Sequence, residues 1–541
     1  MAAIESLIDS TAETFQRNRA DMLACLAEVR AVEQMVRDTE TAQTQKFRKR
    51  GQLLPRERVN LMLDRGSPFL ELASLAGYRM HDDKDGSLAG GNTIAGIGYV
   101  SGVRCLLSAS NSAIKGGTLT PWGMRKGMRV QEIALQQKLP VVSMIESGGA
   151  NLQYQAEMFI EGGRFFANQA RLSAAGIPQV TVVHGSSTAG GAYIPGLSDY
   201  VVMVRKQAKV FLAGPPLLKA ATGEIADDED LGGADMHCQV AGTSEFIAEN
   251  DADGIRLARD VVASLDWNRN RPPLVPHAVR EPKYSPDELC GVVPVDYRKP
   301  YDCREVIARI VDGSEFLDFK SEYDAQTICG RAMIHGLPVG IIANNGPITV
   351  HGATKAGQFI QLCDQADIPL VFLMNTTGYM VGSESEQGGI VKHGSKMIQA
   401  VANTRVPRIT IVIGASFGAG NYGMSGRGFD PDFIFAWPNA RTAVMGGEQA
   451  AKVLGIVGRG KFAKAGITPG AEEEAQLAAM EAGIVKQFDR DSHPLAGTAR
   501  LYDDGLIDPR DTRRVLAYTL GICREAHGRV LKANSFGVAR F

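Results

Sequence analysis

The 541-residue chain carries eight cysteines, at 25, 105, 238, 290, 303, 329, 363 and 523, with no Cys-x-x-Cys and no metal-ligand spacing to histidine. They read as reduced core residues of a cytosolic or organelle-matrix protein, and no metal site is expected. The start lacks the basic segment and apolar core of a secretory signal, and Glu5, Asp9 and Glu13 break the acid-poor pattern of a mitochondrial presequence. Apolar runs such as Pro369 to Met374 are far too short to span a bilayer. Nor is there an excess of one charge: 58 basic residues face 60 acidic ones, for a net charge of −2, so nothing global points to nucleic acid or a membrane surface. Gly455 to Phe462 nearly spells a phosphate-binding loop but ends in Phe462, where Ser or Thr must bind magnesium, and follows a helical pattern.

What the chain does contain is itself, twice. Pro178 to Tyr193 superimposes on Pro407 to Tyr422 at one offset (407 − 178 = 229), matching Thr181/Thr410, Val183/Val412, Gly185/Gly414, Ser187/Ser416 and Gly191/Gly420. Pro140 to Gly149 sets on Pro369 to Gly378 at the same offset. Gly96 to Asn111 repeats as Gly330 to Asn345, and Gly66 to Leu72 as Gly313 to Phe319. Each principal match is a β-branched run behind a proline, as in a buried parallel strand, ending in a glycine-rich turn. Helical patterns intervene at Gly127 to Lys138 and Gly357 to Ala366, and an amphipathic helix is expected over 11–40. Strand alternating with helix predicts an α/β protein with a parallel sheet and crossover helices in each half. Residues 11–267 form the first domain, the Pro-rich stretch 268–277 the linker, with the boundary near Pro272, and 278–525 the second domain.

Each half thus offers two strand-end turns: Glu146 to Asn151 with Gly185 to Tyr193, and Asn375 to Gly382 with Gly414 to Tyr422. Glycines there let a ligand approach the backbone closely, and two neighbouring turns can aim one N–H each at a single carbonyl oxygen, stabilising an enolate or a tetrahedral oxyanion. Two such sites suit an enzyme joining two activated carbonyl compounds. Three other readings compete. Gly414-Ala415-Ser416-Phe417-Gly418 satisfies the nucleophile-elbow pattern of a serine hydrolase using Ser416, although the duplicate lacks the last glycine and nothing marks His493 or His527 as a partner. A hydratase or decarboxylase acting on acyl-CoA alone would use one half. A non-catalytic scaffold leaves both turn pairs unexplained. His351 and His393 lie near the turns, and Lys46 to Arg50 is a basic run suited to a solvated helix end.

Several stretches resemble the carboxyltransferase (β) subunits of biotin-dependent acyl-CoA carboxylases, the group of propionyl-, methylcrotonyl- and geranyl-CoA carboxylases. They include Lys115-Gly116-Gly117-Thr118, Glu146 to Asn151, Ala189 to Tyr193, Leu212 to Pro216 with Thr222-Gly223-Glu224, Leu231 to Ala234, Trp437 to Ala440 and Met445 to Glu448. The resemblance runs from about residue 30 to about residue 525. It implies two tandem crotonase-like (ClpP/crotonase) domains arising by duplication. The first would hold the acyl-CoA, with the thioester oxygen at the amides around Gly148, Gly149 and Ala150 and around Gly190 and Gly191, and with Lys115, Gly116 and Gly117 also in the binding site. The second would hold carboxybiotin, with the ureido oxygen at Gly418, Ala419 and Gly420, and with Gly378, Phe417, Asn421 and Tyr422 nearby. It further implies a biotinylated biotin-carboxylase (α) partner, coenzyme A thioester as substrate, a cytoplasmic location and a homo-oligomer, commonly a hexamer. Phe417 to Tyr422 is similar to the methylcrotonyl and geranyl branch, whereas Asn151 to Gly163 departs from the longer methylcrotonyl-type segment. A branched or otherwise enlarged acyl pocket is expected.

Overall fold

In the computed structural model of the protein, residues 2–271, 277–464, 466 and 468–539 are described. The seam expected near Pro272 lies outside them. The chain divides into two compact units, one comprising Met1–Val29, Val275–Thr498 and Tyr502–Gly521, the other Arg30–Leu274, Ala499–Leu501 and Ile522–Phe541. Spatial grouping therefore departs from chain order at both ends. Ala3 bridges Glu315, and the Ser6 hydroxyl donates to Glu305 (2.5 Å), so the first residues group with the second half of the chain. Near the other end, Glu525 pairs with Arg104 (3.3 Å) and the Asn534 amide donates to the Ala174 carbonyl (2.8 Å), which ties the last residues to the first sheet.

The Arg30–Leu274 portion holds an eight-stranded sheet of β1 (Leu70–Glu71), β2 (Thr93–Val100), β3 (Val103–Ser110), β4 (Val141–Ser147), β5 (Gln179–Thr188), β6 (Tyr200–Val204), β7 (Lys209–Phe211) and β8 (Phe246–Ala248). The order is β1-β2-β3-β4-β5-β6-β8, antiparallel as far as β3 and parallel from there on. The other unit has seven strands: β9 (Leu317–Asp318), β10 (Thr327–Ile334), β11 (Leu337–Asn344), β12 (Leu370–Thr376), β13 (Arg408–Phe417), β14 (Phe433–Ala436) and β15 (Arg441–Ala443), in the order β14-β13-β12-β11-β10-β9. It is antiparallel over β9 to β11 and parallel beyond.

The duplication extends to irregularities. The ladder between β4 and β5 slips between Ile145 and Ser147, and that between β12 and β13 slips between Met374 and Thr376. The long strands β5 and β13 each pair with one neighbour first and another at their ends, β6 then β7 and β14 then β15. The β-branched runs are buried on both faces, as parallel sheets require. Val142, Val180 and Val202 pack on Ile255 and Val262 of the Asp251–Ser264 helix in one core, and Phe372, Val412 and Ile434 on Phe359 and Met397 in the other.

The expected crossover helices begin earlier than their hydrophobic pattern indicates, at Pro121 and Val350. Thr120 and Thr349 cap them, their hydroxyls accepting from the amides of Gly123 and Gly352, and Pro121 occupies the first helical position, where no amide donor is needed. The amphipathic helix runs Glu13–Thr41. In the basic run, Phe47 is buried and Arg48 pairs with Glu57.

In the second unit Asp503 is buried and accepts from the Thr498 hydroxyl (2.7 Å) and the Gly505 amide (3.0 Å). Burial pushes its carboxyl up to about 7. Between the unfolded carboxyl's pKa of about 4 and that value, unfolding releases a proton, so the residue's contribution to stability falls as pH rises through the window. Asp503→Asn keeps an accepting oxygen and removes the titration. In thermal melts the variant is expected to match the parent near pH 4 and to melt several degrees higher at pH 8; coincident melting at pH 8 would contradict this.

Candidate active site

β4 ends at Ser147, and the chain turns through Gly148 and Gly149, the latter with φ +88°, a left-handed conformation that a Cβ disfavours. The Ser147 hydroxyl accepts from the Gly149 amide (3.1 Å) and donates to the Gly117 carbonyl (3.0 Å). The Leu119 amide donates to the Gly149 carbonyl (2.9 Å) and the Asn151 amide to the Leu119 carbonyl (3.0 Å), a one-step parallel bridge. Lys115, Gly116 and Gly117 form a left-handed run (φ +46°, +63° and +69°) whose Gly116 carbonyl accepts from the Gly148 amide (3.3 Å). Asp82 holds both sides of this turn, accepting from Lys115 Nζ (2.8 Å) and the Tyr154 hydroxyl (2.6 Å).

The neighbouring turn follows β5. Ala189 is left-handed (φ +52°), Gly190 is exposed, and Gly191 is buried with its carbonyl accepting from the Ser187 hydroxyl (2.9 Å). The turns abut: a Cβ on Gly149 would lie 3.5 Å from the Thr188 carbonyl oxygen, and one on Gly191 would lie 3.9 Å from the Ser147 Cβ. Gly148, Ala150 and Gly190 are exposed, whereas Gly149 and Gly191 are buried.

The second unit repeats this at the same offset. Gly378 is left-handed (φ +120°); its amide donates to the Thr376 hydroxyl (3.2 Å), its carbonyl accepts from the Ile348 amide (2.9 Å), and the Met380 amide donates to the Ile348 carbonyl (2.8 Å). After β13, Gly418 is left-handed (φ +55°), Ala419 exposed and Gly420 buried, so close to the first turn that a Cβ would sit 2.8 Å from the Gly378 Cα. Asn421 donates to the Ser416 hydroxyl (2.7 Å), Phe417 is buried edge-on against Tyr297 (5.1 Å between centroids), and the half-exposed Tyr422 stacks on Phe429 (5.7 Å). The first amides past β5 and β13 cannot be satisfied within the helical turns they begin and can donate to an oxygen placed beside the neighbouring turn, whereas the Gly148, Gly149 and Gly378 amides already donate within the protein.

Ser416 does not have the setting of a hydrolase nucleophile. It is fully buried inside β13, two residues before the turn, with its hydroxyl engaged by Asn421. His493 Nε2 lies 3.8 Å from Glu28, His393 Nδ1 lies 2.9 Å from the Thr354 hydroxyl, and the His351 ring packs on Tyr323. The near phosphate-binding loop is the interior of the Gly447–Lys464 helix.

Sequence reasoning missed a buried charged cluster behind the first turn. Arg58 pairs with Glu146 (2.8 Å) and with Asp251 (3.0 Å), which meets His184 Nδ1 (2.8 Å). Burial and the Arg58 guanidinium hold the His184 pKa below its usual value. These residues lie far apart in the chain, and no spacing announces them.

The carboxyl transferase domain family matches residues 46–533. The biotin-dependent 3-methylcrotonyl-coenzyme A carboxylase beta1 subunit of Mycobacterium tuberculosis is 49% identical over 486 residues, covering 88% of this chain and 89% of that protein. The solved β subunit of P. aeruginosa geranyl-CoA carboxylase is 62% identical, with a TM-score of 0.94 and all of both chains covered. Among the described residues no helix is long and apolar enough to cross a membrane, and no cluster of His, Cys, Asp and Glu could hold a metal ion.

The hydroxyl clasp is testable in the second unit. Thr376→Val leaves the buried Gly378 amide without its acceptor and is expected to cost about 1–3 kcal/mol in chemical denaturation. Thr376→Ser, which keeps the hydroxyl, should lose clearly less. Equal losses for the two variants would show that the methyl group, which valine keeps and serine lacks, contributes as much as the hydroxyl and would contradict the clasp.

Proposed function

We propose, from the premise that this chain belongs to the carboxyl transferase family and is the carboxyltransferase subunit of a biotin-dependent acyl-CoA carboxylase of the methylcrotonyl and geranyl type, that its two turn pairs divide the two substrates between them. The amides around Gly148, Gly149 and Ala150, with those of Gly190 and Gly191, receive the thioester oxygen of the acyl-CoA, beside Lys115, Gly116 and Gly117. The amides around Gly418, Ala419 and Gly420 receive the ureido oxygen of carboxybiotin, with Gly378, Phe417, Asn421 and Tyr422 around it. The observation that carries this reading is the repetition of one geometry, strand, hydroxyl clasp, left-handed glycine and abutting turn, at two places in one chain.

Carboxybiotin, brought by the biotinylated α subunit, supplies carbon dioxide and then the base for the acyl-CoA proton. This chain's share is electrostatic and geometric. Fixed N–H groups polarise the thioester carbonyl, so that proton loss leaves its charge on an oxygen already solvated by the protein. Holding both substrates then makes carbon–carbon bond formation effectively unimolecular. The turns leave Gly148, Ala150, Gly190 and Ala419 exposed beside buried, conformationally fixed neighbours, and the Gly148 and Gly149 amides, which donate to the Gly116 carbonyl (3.3 Å) and the Ser147 hydroxyl (3.1 Å), hold the first turn in shape.

The acyl group is branched or unsaturated and needs a roomy pocket. The Gln155–Ala174 helix, which follows the first turn, has consecutive glycines at its centre; a Cβ on Gly163 would meet nothing within 4 Å, and one on Gly162 only Met124 Cε at 3.8 Å. Glycine costs a helix about 1 kcal/mol per position, so space there supports an enlarged pocket. A homohexamer of this subunit in the cytoplasm completes the proposal.

Radiolabelled bicarbonate, ATP, the biotinylated partner and a panel of acyl-CoAs test it. Label is expected in methylcrotonyl- or geranyl-CoA and should vanish when avidin is added. Failure of every acyl-CoA, with a partner shown to carboxylate free biotin, would overturn the reading.

A further inference from the structure

Glu146 stands immediately before the turn proposed to bind the acyl-CoA, yet its side chain points into the protein. It is buried against the α-carbon of Gly185, where a Cβ would lie 2.6 Å from Glu146 Cγ. Its Oε2 accepts from Arg58 Nη1 (2.8 Å) and the Ser112 hydroxyl (2.9 Å), and its Oε1 from Gln52 Nε2 (3.4 Å). Gln52 Nε2 also donates to the His184 carbonyl (3.0 Å). Arg58 Nε donates to Asp251 Oδ2 (3.0 Å), and Asp251 Oδ1 meets His184 Nδ1 (2.8 Å). The cluster therefore grips β4 at Glu146, β5 at His184, and at Ser112 the segment leading into Lys115, Gly116 and Gly117. Those are the three pieces of chain from which the first turn pair is built.

The duplicate shows what this place requires for packing alone. At the offset of the repeat, Glu146 becomes Asn375, His184 becomes Ile413 and Gly185 becomes Gly414. Asn375 lies on Gly414 as Glu146 lies on Gly185, and its Oδ1 simply accepts from the Ala415 amide (3.1 Å). A neutral side chain thus fills the same position in the second unit. Burying an arginine and two carboxylates in the first costs desolvation energy that packing does not demand.

We propose that the Arg58–Glu146–Asp251–His184 cluster is a positioning device dedicated to acyl-CoA activation. It fixes the ends of β4 and β5 so that their amides stay converged while negative charge develops on the thioester oxygen. This rests on the assignment of the first turn pair to the acyl-CoA. None of the four residues touches substrate, so the effect falls on how well the amides stabilise the enolate rather than on how tightly the thioester binds.

Glu146→Gln keeps the size and an accepting oxygen while removing the charge, and Ser112→Ala removes one hydrogen bond to Glu146 should the first variant fail to fold. Each would be assayed in the holoenzyme with its biotinylated partner. With the best acyl-CoA, Glu146→Gln is expected to lower kcat about tenfold or more, toward the loss seen on removing an oxyanion donor, with KM changed by less than about threefold. Ser112→Ala should lower kcat less, again with KM spared. Bicarbonate-dependent ATP consumption without acyl-CoA, which reports uncoupled loss of carbon dioxide from carboxybiotin, should stay within about twofold of the parent for both. A kcat equal to the parent's, or a rise in KM alone, would overturn the proposal. So would parallel loss of both activities, which would make the cluster a general structural element. Were the parent to carboxylate no acyl-CoA at all, the functional reading itself would fail, and the proposal with it.

Discussion

The backbone bridge between the turn after the central strand and the residue before the crossover helix sets the rest of the site. Leu119 and Ile348 each give an amide to the carbonyl of a left-handed glycine and take one from the residue two further on. Together with the hydroxyl clasp of Ser147 or Thr376, that exchange fixes the direction of a strand that leaves its ladder through a register slip. With it, the next residue, Thr120 or Thr349, is placed to cap the crossover helix. One two-bond bridge thereby fixes both the exit of a strand and the entry of a helix. Electrostatic stabilisation by fixed dipoles needs this rigidity, because a donor that must reorganise as charge develops loses much of its advantage.

Duplication preserved this scaffold and let its support diverge. Both crossover helices carry a buried lysine whose ammonium donates to backbone carbonyls, Lys126 to Thr93 (2.6 Å) and Lys355 to Asp324 (3.2 Å). Burial drives the Lys126 pKa down to about 8 and lowers that of Lys355 as well. Behind the turns the units part company, with an ion-paired cluster in one and an asparagine in the other.

Much of this was legible in the sequence because its signals are local. Prolines ahead of β-branched runs marked β5, β12 and β13, and the glycines after them marked the turns, since a left-handed residue at 149 or 378 leaves few alternatives. The helix starts were read late because Thr120-Pro121 and Thr349 signal through capping chemistry and not through apolar periodicity. Ser416 matched a nucleophile pattern that its place inside a strand denies. Arg58 and Asp251 were invisible because a buried ion pair between residues 193 positions apart leaves no periodic trace. The regrouping of the termini was likewise hidden, resting on contacts such as Ala3 with Glu315 that follow from the fold alone.

The central claim is that one turn geometry, used twice, holds two different carbonyl oxygens. The most direct measurement is a high-resolution structure of the holoenzyme with a non-reactive acyl-CoA analogue and biotin bound. The account predicts the thioester oxygen about 3 Å from amides of the Gly148–Ala150 and Gly190–Gly191 turns, and the ureido oxygen at comparable distance from those of Gly418 to Gly420. Thioester or ureido oxygens bound by side chains elsewhere, or both ligands lodged at one turn pair with the other empty, would contradict it.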